Sequence, residues 1–600
     1  MPYFPIVPEN RMSQQVTDIF MGYNHNLKIA DGEFYEMENM TSAYFPLLAN
    51  RGRRGYVTDL DEPQGFLAKS QLAYVDGSNL IYGGQDLTTY INAAGFFIST
   101  DEKMCPKQLV SMGAYIIIYP DRLYINTENY TDCGSIDAVF STASGSAVSF
   151  SICSQDGDTY ERVFAGATAP EAPENGALWL DASSSVHTLK QYNDGTGTWV
   201  QMPTVYTKIS YPGIGKAFNQ FDGVQISGCM APNDAMADQV EALNGYKIIY
   251  AKDDNFIVVI GILDQSFTQE IGSIRIERSM PTLDFITEAE NRLWGCRYGL
   301  VNGETVNEIY CCSLGDFKNW NQFLGLSTDS WRASVGTDGA WTGAVTHNGY
   351  PIFFKENCLH KVYISSAGAH QIDDKACRGV QKGSHNSLVV VNETLYYKGV
   401  TDICAYDGSL PVSVSAVMGG ERYYNAAAGS IGDKYYVSMQ DAAGIWHMFV
   451  YDTSRNFWHR EDNTHALCFA RCHGDLYYID ADLNKLICTG GSEGEPEDPV
   501  TWSATTGLIG YNYVEQKYVS RFNLRMKLPV GSWVKMLIEY DSDGEWLEVG
   551  YMEGVGTRTF MLPVRPRRCD HFRFRIEGQG DVRVYSLAKI HESGSDEQWQ

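Results

Sequence analysis

One short phrase occurs three times around residues 393 to 479, and it restricts the fold more than any other feature of the chain. The copies are Glu393-Thr-Leu-Tyr-Tyr-Lys398, Gly432-Asp-Lys-Tyr-Tyr-Val437 and Gly474-Asp-Leu-Tyr-Tyr-Ile479, each a small polar turn opening into a strand. Their second tyrosines, Tyr397, Tyr436 and Tyr478, stand 39 and 42 residues apart, the period of one four-stranded propeller blade. A helical repeat of that length would place apolar residues at i, i+3, i+4 and i+7, whereas these segments alternate or run aromatic. Looser copies begin at Gly349 and Asn291, and Leu72–Gly77 and Ala114–Tyr119 lie about one blade apart near the start. Together they predict an all-β fold: a β-propeller of about six or seven blades.

The spacing of these phrases divides the 600 residues. Residues 1–60 read as an N-terminal arm and 61–130 as the first blades. The period then breaks, and 131–245 read as an inserted small β-module rich in Ser, Ala, Gly and Thr. The propeller resumes in 246–490, opening with Asn244–Tyr250 and Asn255–Ile260. An acidic Gly/Pro spacer, Gly490–Pro499, leads into a separate C-terminal β-sandwich within 491–600, where Phe522–Leu528 and Val534–Tyr540 alternate at period two as half-buried strands do. Trp320 and Trp458 each follow a strand and a Ser/Asp/Gly turn, which suits a tryptophan packed between blades.

Charge excludes one class of partner. The formal net charge is −27, and a protein that grips a phosphate backbone needs clustered Lys and Arg instead. An acidic wall would still let a duplex slide past without sticking, but solubility alone is the plainer account of the charge. The 14 cysteines form no regular framework and read as reduced, mostly buried thiols; Cys468-x3-Cys472-His473 is the nearest approach to zinc spacing. The N-terminus lacks the basic and apolar regions of a signal peptide and no run of 18 apolar residues occurs, so synthesis in a cytoplasm and no membrane span are expected.

The arm carries Gly22, Asn24, Gly32, Glu33, Asn39 and Thr41, then a basic patch with Arg51, Arg53 and Arg54. This order of pieces resembles the opening of phage virion proteins of the tail nozzle and head-closure type. The phrase around Thr168–Ser183, His187–Tyr192 and Gly197–Val200 resembles a module of phage and prophage tail-region proteins, and the ending resembles the C-terminal sandwich of the nozzle-like group. The resemblance implies a propeller in a ring on a DNA exit path. Its partners would be copies of itself, neighbouring portal, adaptor or tail proteins, and viral DNA in passage, with the virion as its location. A strand of the arm that merely closes the propeller ring is the plainer reading of the same residues.

Candidate contact residues follow from these pieces. Arg51, Arg53 and Arg54 form one basic patch. Arg567, Arg568, Arg573 and Arg575 form another, with Arg573 and Arg575 alternating against Phe572, Phe574 and Ile576, a face that suits an acidic neighbour or solvent. Trp179 and Trp199 are candidates for stacking on a sugar ring, although a tryptophan in so small a module ordinarily forms its core.

No catalytic motif is present. Ser154-Gln-Asp-Gly-Asp fails the spacing of a sialidase turn, and there is no nucleophile elbow, zinc helix or phosphate loop. Asp480–Asn484 and Asp541–Gly544 lack the downstream Glu of a calcium loop. The expectation is therefore a non-enzymatic protein without cofactor or metal: a phage structural ring around a DNA channel, with a carbohydrate-binding adhesin of the virion surface as the alternative.

Overall fold

The computed structural model describes residues 12–301, 303–365, 368–510, 516–554 and 556–593. Strand accounts for 51% of the chain and helix for 4%, so the all-β expectation holds. No described helix is long and apolar enough to cross a membrane.

Seven sheets form the propeller, five of them four-stranded, the sixth six-stranded and the seventh five-stranded. Their innermost strands are Pro63–Ala68, Gln108–Met112, Phe285–Ala289, Gly343–His347, Val389–Val391, Tyr423–Ile431 and Ala466–Cys472, and the seventh packs back against the first. Each of the seven sequence phrases is the second strand of one blade. In blades two to seven, two residues join the first strand to the second, and the first of the two is in most cases glycine or asparagine. In blades three, four, five and seven both turn residues have positive φ (Glu290 and Asn291, Asn348 and Gly349, Asn392 and Glu393, His473 and Gly474), the conformation whose twist matches paired strands. Trp320 is buried among residues of blades two and three. Trp458 donates its indole N–H to the Val414 carbonyl at 2.8 Å, bridging blades five and six.

The inserted region is larger than its sequence signal. Strands Ala138–Ser141 to Arg275–Arg278 form three sheets, of four, five and four strands. Gly245–Ile248 and Phe256–Ile260, read from sequence as the propeller resuming, belong to the insert: Phe256–Ile260 pairs with Tyr206–Ser210, which pairs with Val148–Cys153. The propeller resumes at Phe285. Alternation identifies these residues as strands, but only long-range pairing assigns them to a sheet.

The arm is stitched through the whole molecule. Gly55–Asp59 is the fourth strand of blade seven, between Lys485–Cys488 and Glu495–Pro496, so the two ends of the propeller close one blade. Gly55 lies so close to the Glu493 carbonyl that a Cβ would sit 1.9 Å from it. Gly22–Tyr23 extends blade six beyond Phe457–Arg460. Met12–Thr17, Glu36–Glu38, Met40–Thr41 and Leu48–Asn50 are strands of the C-terminal sandwich. The sandwich is thus not a separate body, for one apolar core joins Phe34, Met37, Tyr435, Trp458, Trp502 and Phe574 from arm, blade six and sandwich.

A buried ion cluster fastens that junction. Arg54 contacts Glu461 at 2.6 Å and Asp462 at 2.9 Å, and Arg51 contacts Asp462 at 3.3 Å and pairs with Glu497. Arg54 also donates to the Tyr478 hydroxyl at 2.9 Å. Glu461 and Asp462 connect blade six to blade seven, and Glu497 lies in the spacer, which is pinned here rather than free. Removing one partner of a buried pair leaves the others uncompensated. Arg54→Ala is expected to lower stability by about 3–5 kcal/mol in denaturant unfolding.

Acid should act on the same cluster. Burial pushes the Asp462 carboxyl up, but the Arg54 and Arg51 guanidiniums and its bonds to Thr464 outweigh this and hold it at about 2, below the ordinary 3.8. The unfolded chain therefore takes up this proton first. The contribution is full above pH 3.8 and lost as pH falls to about 2. Urea midpoints measured from pH 5 downward should fall through that window, and less steeply in Asp462→Asn.

Candidate functional site

Two cavities bear on function. The first lies on the propeller axis, about 350 Å³ in volume, walled by the innermost strands. Its charged lining residues are Lys107 and Arg471, with no Asp or Glu among them. Lys107 is itself held by Asp121 at 2.6 Å and the Ser99 hydroxyl at 3.0 Å. Hydrolysis of a glycosidic bond ordinarily needs two carboxyl groups flanking it, and this cavity presents none.

The second is a cleft of about 440 Å³ where arm, blade six and sandwich meet. Pairing of Gly22–Tyr23 with Phe457–Arg460 brings Tyr23 beside Phe449, 5.3 Å between ring centroids, and Phe449 in turn lies 5.4 Å from the Tyr423 ring. Burial, then the nearby Glu421, push the Tyr423 phenol up to about 12, so it keeps its proton at neutral pH. Pairing of Glu36–Glu38 with Thr501–Thr505 turns Met37 into the core and leaves Glu36 and Glu38 on the open face.

A hydrogen-bonded chain forms one side. His447 Nε2 lies 2.9 Å from Asp441 Oδ2, and Arg460 Nε donates to His447 Nδ1 at 3.2 Å. A guanidinium cannot accept a hydrogen bond, so Nδ1 is the acceptor and the proton sits on Nε2, facing Asp441. Burial lowers the His447 pKa, against the pull of Asp441, and Arg460 lowers it further. Arg460 also donates to the Met37 carbonyl at 3.0 Å, tying blade six to the arm. Across the cleft, Arg575 bonds Thr505 Oγ1 at 2.9 Å and lies 3.5 Å from Glu36. Among the described residues, Glu38 and Glu421 have no hydrogen-bond or ion-pair partner, although both line the cleft. The lining therefore sets four carboxylates against two guanidiniums, over tyrosine and histidine rings.

The residues singled out from sequence sit elsewhere. Arg51 and Arg54 are buried in the ion cluster and face no neighbour, which corrects their reading as contact residues. Arg53 is exposed but donates to the Glu497 and Pro496 carbonyls. Arg567 pairs with Asp543 at 3.0 Å and Arg573 with Glu539. Arg573 and Arg575 both lie over the Trp546 ring, at 5.2 and 4.5 Å, so this basic face is largely neutralised within the sandwich. Arg568 is exposed. Trp179 is 8% exposed, donates to the Gly166 carbonyl at 2.9 Å and meets Trp199 edge to face at 5.5 Å. Both tryptophans thus pack within the insert's small sheet. Asp480 accepts hydrogen bonds from the Asp482 and Leu483 amides, as a turn residue does.

Arg575 alone of the cleft residues was singled out in the sequence. Tyr23, Glu36, Glu38, Glu421, Tyr423, Asp441, His447 and Arg460 were not, because the segments that bring them together are some 400 residues apart in sequence. Asp441 and His447, facing each other across the Ala442-Ala443-Gly444 turn, offered the one local signal.

No family model and no curated protein matches the sequence. Among solved structures, the chain is similar to an exo-β-1,3-galactanase from Phanerochaete chrysosporium, at 7% identity over 51% of this chain and 94% of that one, with a TM-score of 0.20. A glycoside hydrolase family 43 arabinoxylan arabinofuranohydrolase from Bacillus subtilis is similar at 9% identity over 52% and 95%, TM-score 0.18. The extracellular domain of a one component system from B. thetaiotaomicron is similar at 9% over 93% and 98%, TM-score 0.16. Scores this low carry no assignment of activity. None of these three is a virion protein, and the expectation of a phage ring on a DNA channel is corrected on that finding. The adhesin alternative loses its stacking residues to the packing of Trp179 and Trp199.

The hydrogen-bonded chain gives a direct check. Nitrogen-resolved NMR of His447 should report the neutral Nε2–H tautomer at neutral pH, with protonation only below the ordinary 6.5. Asp441→Asn, which leaves Arg460 in place and keeps an acceptor oxygen for Nε2–H, should retain that tautomer and lower the His447 pKa further, because the pull of Asp441 is lost.

Proposed function

We propose that the protein is a non-enzymatic docking protein whose cleft between arm, blade six and sandwich receives a cationic group, the side chain of a lysine or arginine on a partner polypeptide. The observation that carries this reading is the pair of unpartnered carboxylates, Glu38 and Glu421, beside a floor of aromatic rings. Carboxylates attract an ammonium or guanidinium by charge, and tyrosine faces attract the same groups through the ring quadrupole. The excess of carboxylates over guanidiniums in the lining favours a cation over a neutral ligand. A chain of net charge −27 would also steer a basic partner toward itself at low salt. Hydrolysis at the propeller axis finds little support, because the axial cavity lacks acids.

Calorimetric titration with blocked tripeptides centred on Arg, Lys or Gln, alongside neutral oligosaccharides, tests this reading. Arg or Lys peptides should bind at low salt and weaken as salt rises. The double variant E38Q/E421Q, altered only at exposed positions, should lose about tenfold in affinity, equivalent to about 1.4 kcal/mol. Binding of an oligosaccharide but of no cationic peptide, or equal binding of the Gln peptide, would overturn it.

A further inference from the structure

Two of the 14 cysteines stand apart from the rest. Cys105 Sγ and Cys468 Sγ are 3.5 Å apart although 363 residues separate them in sequence. Both are partly exposed and both line the axial cavity. Among the described residues theirs is the one sulfur–sulfur contact within hydrogen-bonding reach.

Their places in the fold give the contact its meaning. Cys105 belongs to the connection from blade one to blade two, where its amide donates to the Pro63 carbonyl at 2.8 Å and its φ is 48°. Cys468 is on the innermost strand of blade seven, at a register shift between Ala466 and Cys468. Irregularities of this kind turn a side chain away from its regular direction. The pair therefore spans the seam between the last blade and the first, where a propeller ring opens if it opens at all. That seam is otherwise held by Gly55–Asp59 in blade seven and by packing.

We propose that Cys105 and Cys468 form a reversible disulfide that locks the propeller ring, made and broken by exchange with a small-molecule disulfide and its thiol. The thiolate of Cys105 attacks one sulfur of oxidised glutathione, forming a mixed disulfide and releasing one glutathione thiolate. Cys468, deprotonated by solvent, then attacks the Cys105 sulfur and releases the second. Two S–H bonds of the protein become one S–S bond, and one disulfide of the oxidant becomes two thiols. The sulfurs must approach from 3.5 Å to the bonded distance of about 2.05 Å. The short connection carrying Cys105 can supply that movement. Closing so long a loop restricts the unfolded chain and so stabilises the folded ring.

The test equilibrates the full chain with mixtures of oxidised and reduced glutathione, counts free thiols and maps linked peptides by mass spectrometry. Oxidation should remove two of the 14 thiols, link the peptides containing Cys105 and Cys468, and raise the thermal midpoint by several degrees, reversed by reductant. Cys105→Ser and Cys468→Ser, made separately so that one poorly folding variant does not decide the matter, should each abolish the shift. Retention of all thiols, linkage of other cysteines, or a Cys105–Cys468 bond that leaves the midpoint unchanged would each overturn the proposal.

Discussion

The meeting of Arg51 and Arg54 with Glu461, Asp462 and Glu497 holds together three stretches of chain that sequence alone leaves unrelated. One is the arm, one the passage between blades six and seven, and one the spacer before the sandwich. Buried charges are costly unless every one finds a partner, so the cluster tolerates few alternative arrangements. With it formed, the arm can run only one way, laying Gly22–Tyr23 on blade six, Glu36–Glu38 on the sandwich and Gly55–Asp59 on blade seven. The cleft is a consequence of that path, since Tyr23 and Glu36 reach it only from a correctly seated arm.

The propeller was legible because its information is local. A two-residue turn that needs positive φ selects Asn and Gly, and the strand after it must bury an aromatic residue against the next blade, so Asn348-Gly349 or His473-Gly474 followed by apolar and aromatic residues can be read directly. The insert was half legible for the converse reason. Phe256–Ile260 is plainly a strand, yet nothing within five residues says whether it pairs with a blade or with Tyr206–Ser210. The arginines misled because residue type does not report burial. Arg51-Gly-Arg-Arg54 has the composition of a surface patch, and its first and last members are core residues satisfied by acids some 400 positions away.

Those pairings also change what the net charge means. Some of the positive charge is spent inside: Arg51, Arg54, Lys107 and Arg278 are buried against carboxylates. An acidic composition does not by itself place acid on the propeller axis, and here the axial cavity has none on its lining while carrying Arg471. The unpaired carboxylates of interest gather instead where the sandwich meets blade six, where strand alternation exposes Glu38 opposite Glu421.

The two sites differ in what would disturb them, and the difference follows from topology. The cleft depends on the arm, the ion cluster and the sandwich, so any change that unseats the arm removes it without touching the inner strands of the ring. The Cys105–Cys468 contact depends on the seam between blades seven and one, and no member of the ion cluster lies in contact with either sulfur. Gly55–Asp59 links them, since it leaves the ion cluster at Arg54 and immediately becomes the fourth strand of the blade whose inner strand carries Cys468. Blade seven is thus the element that both regions share.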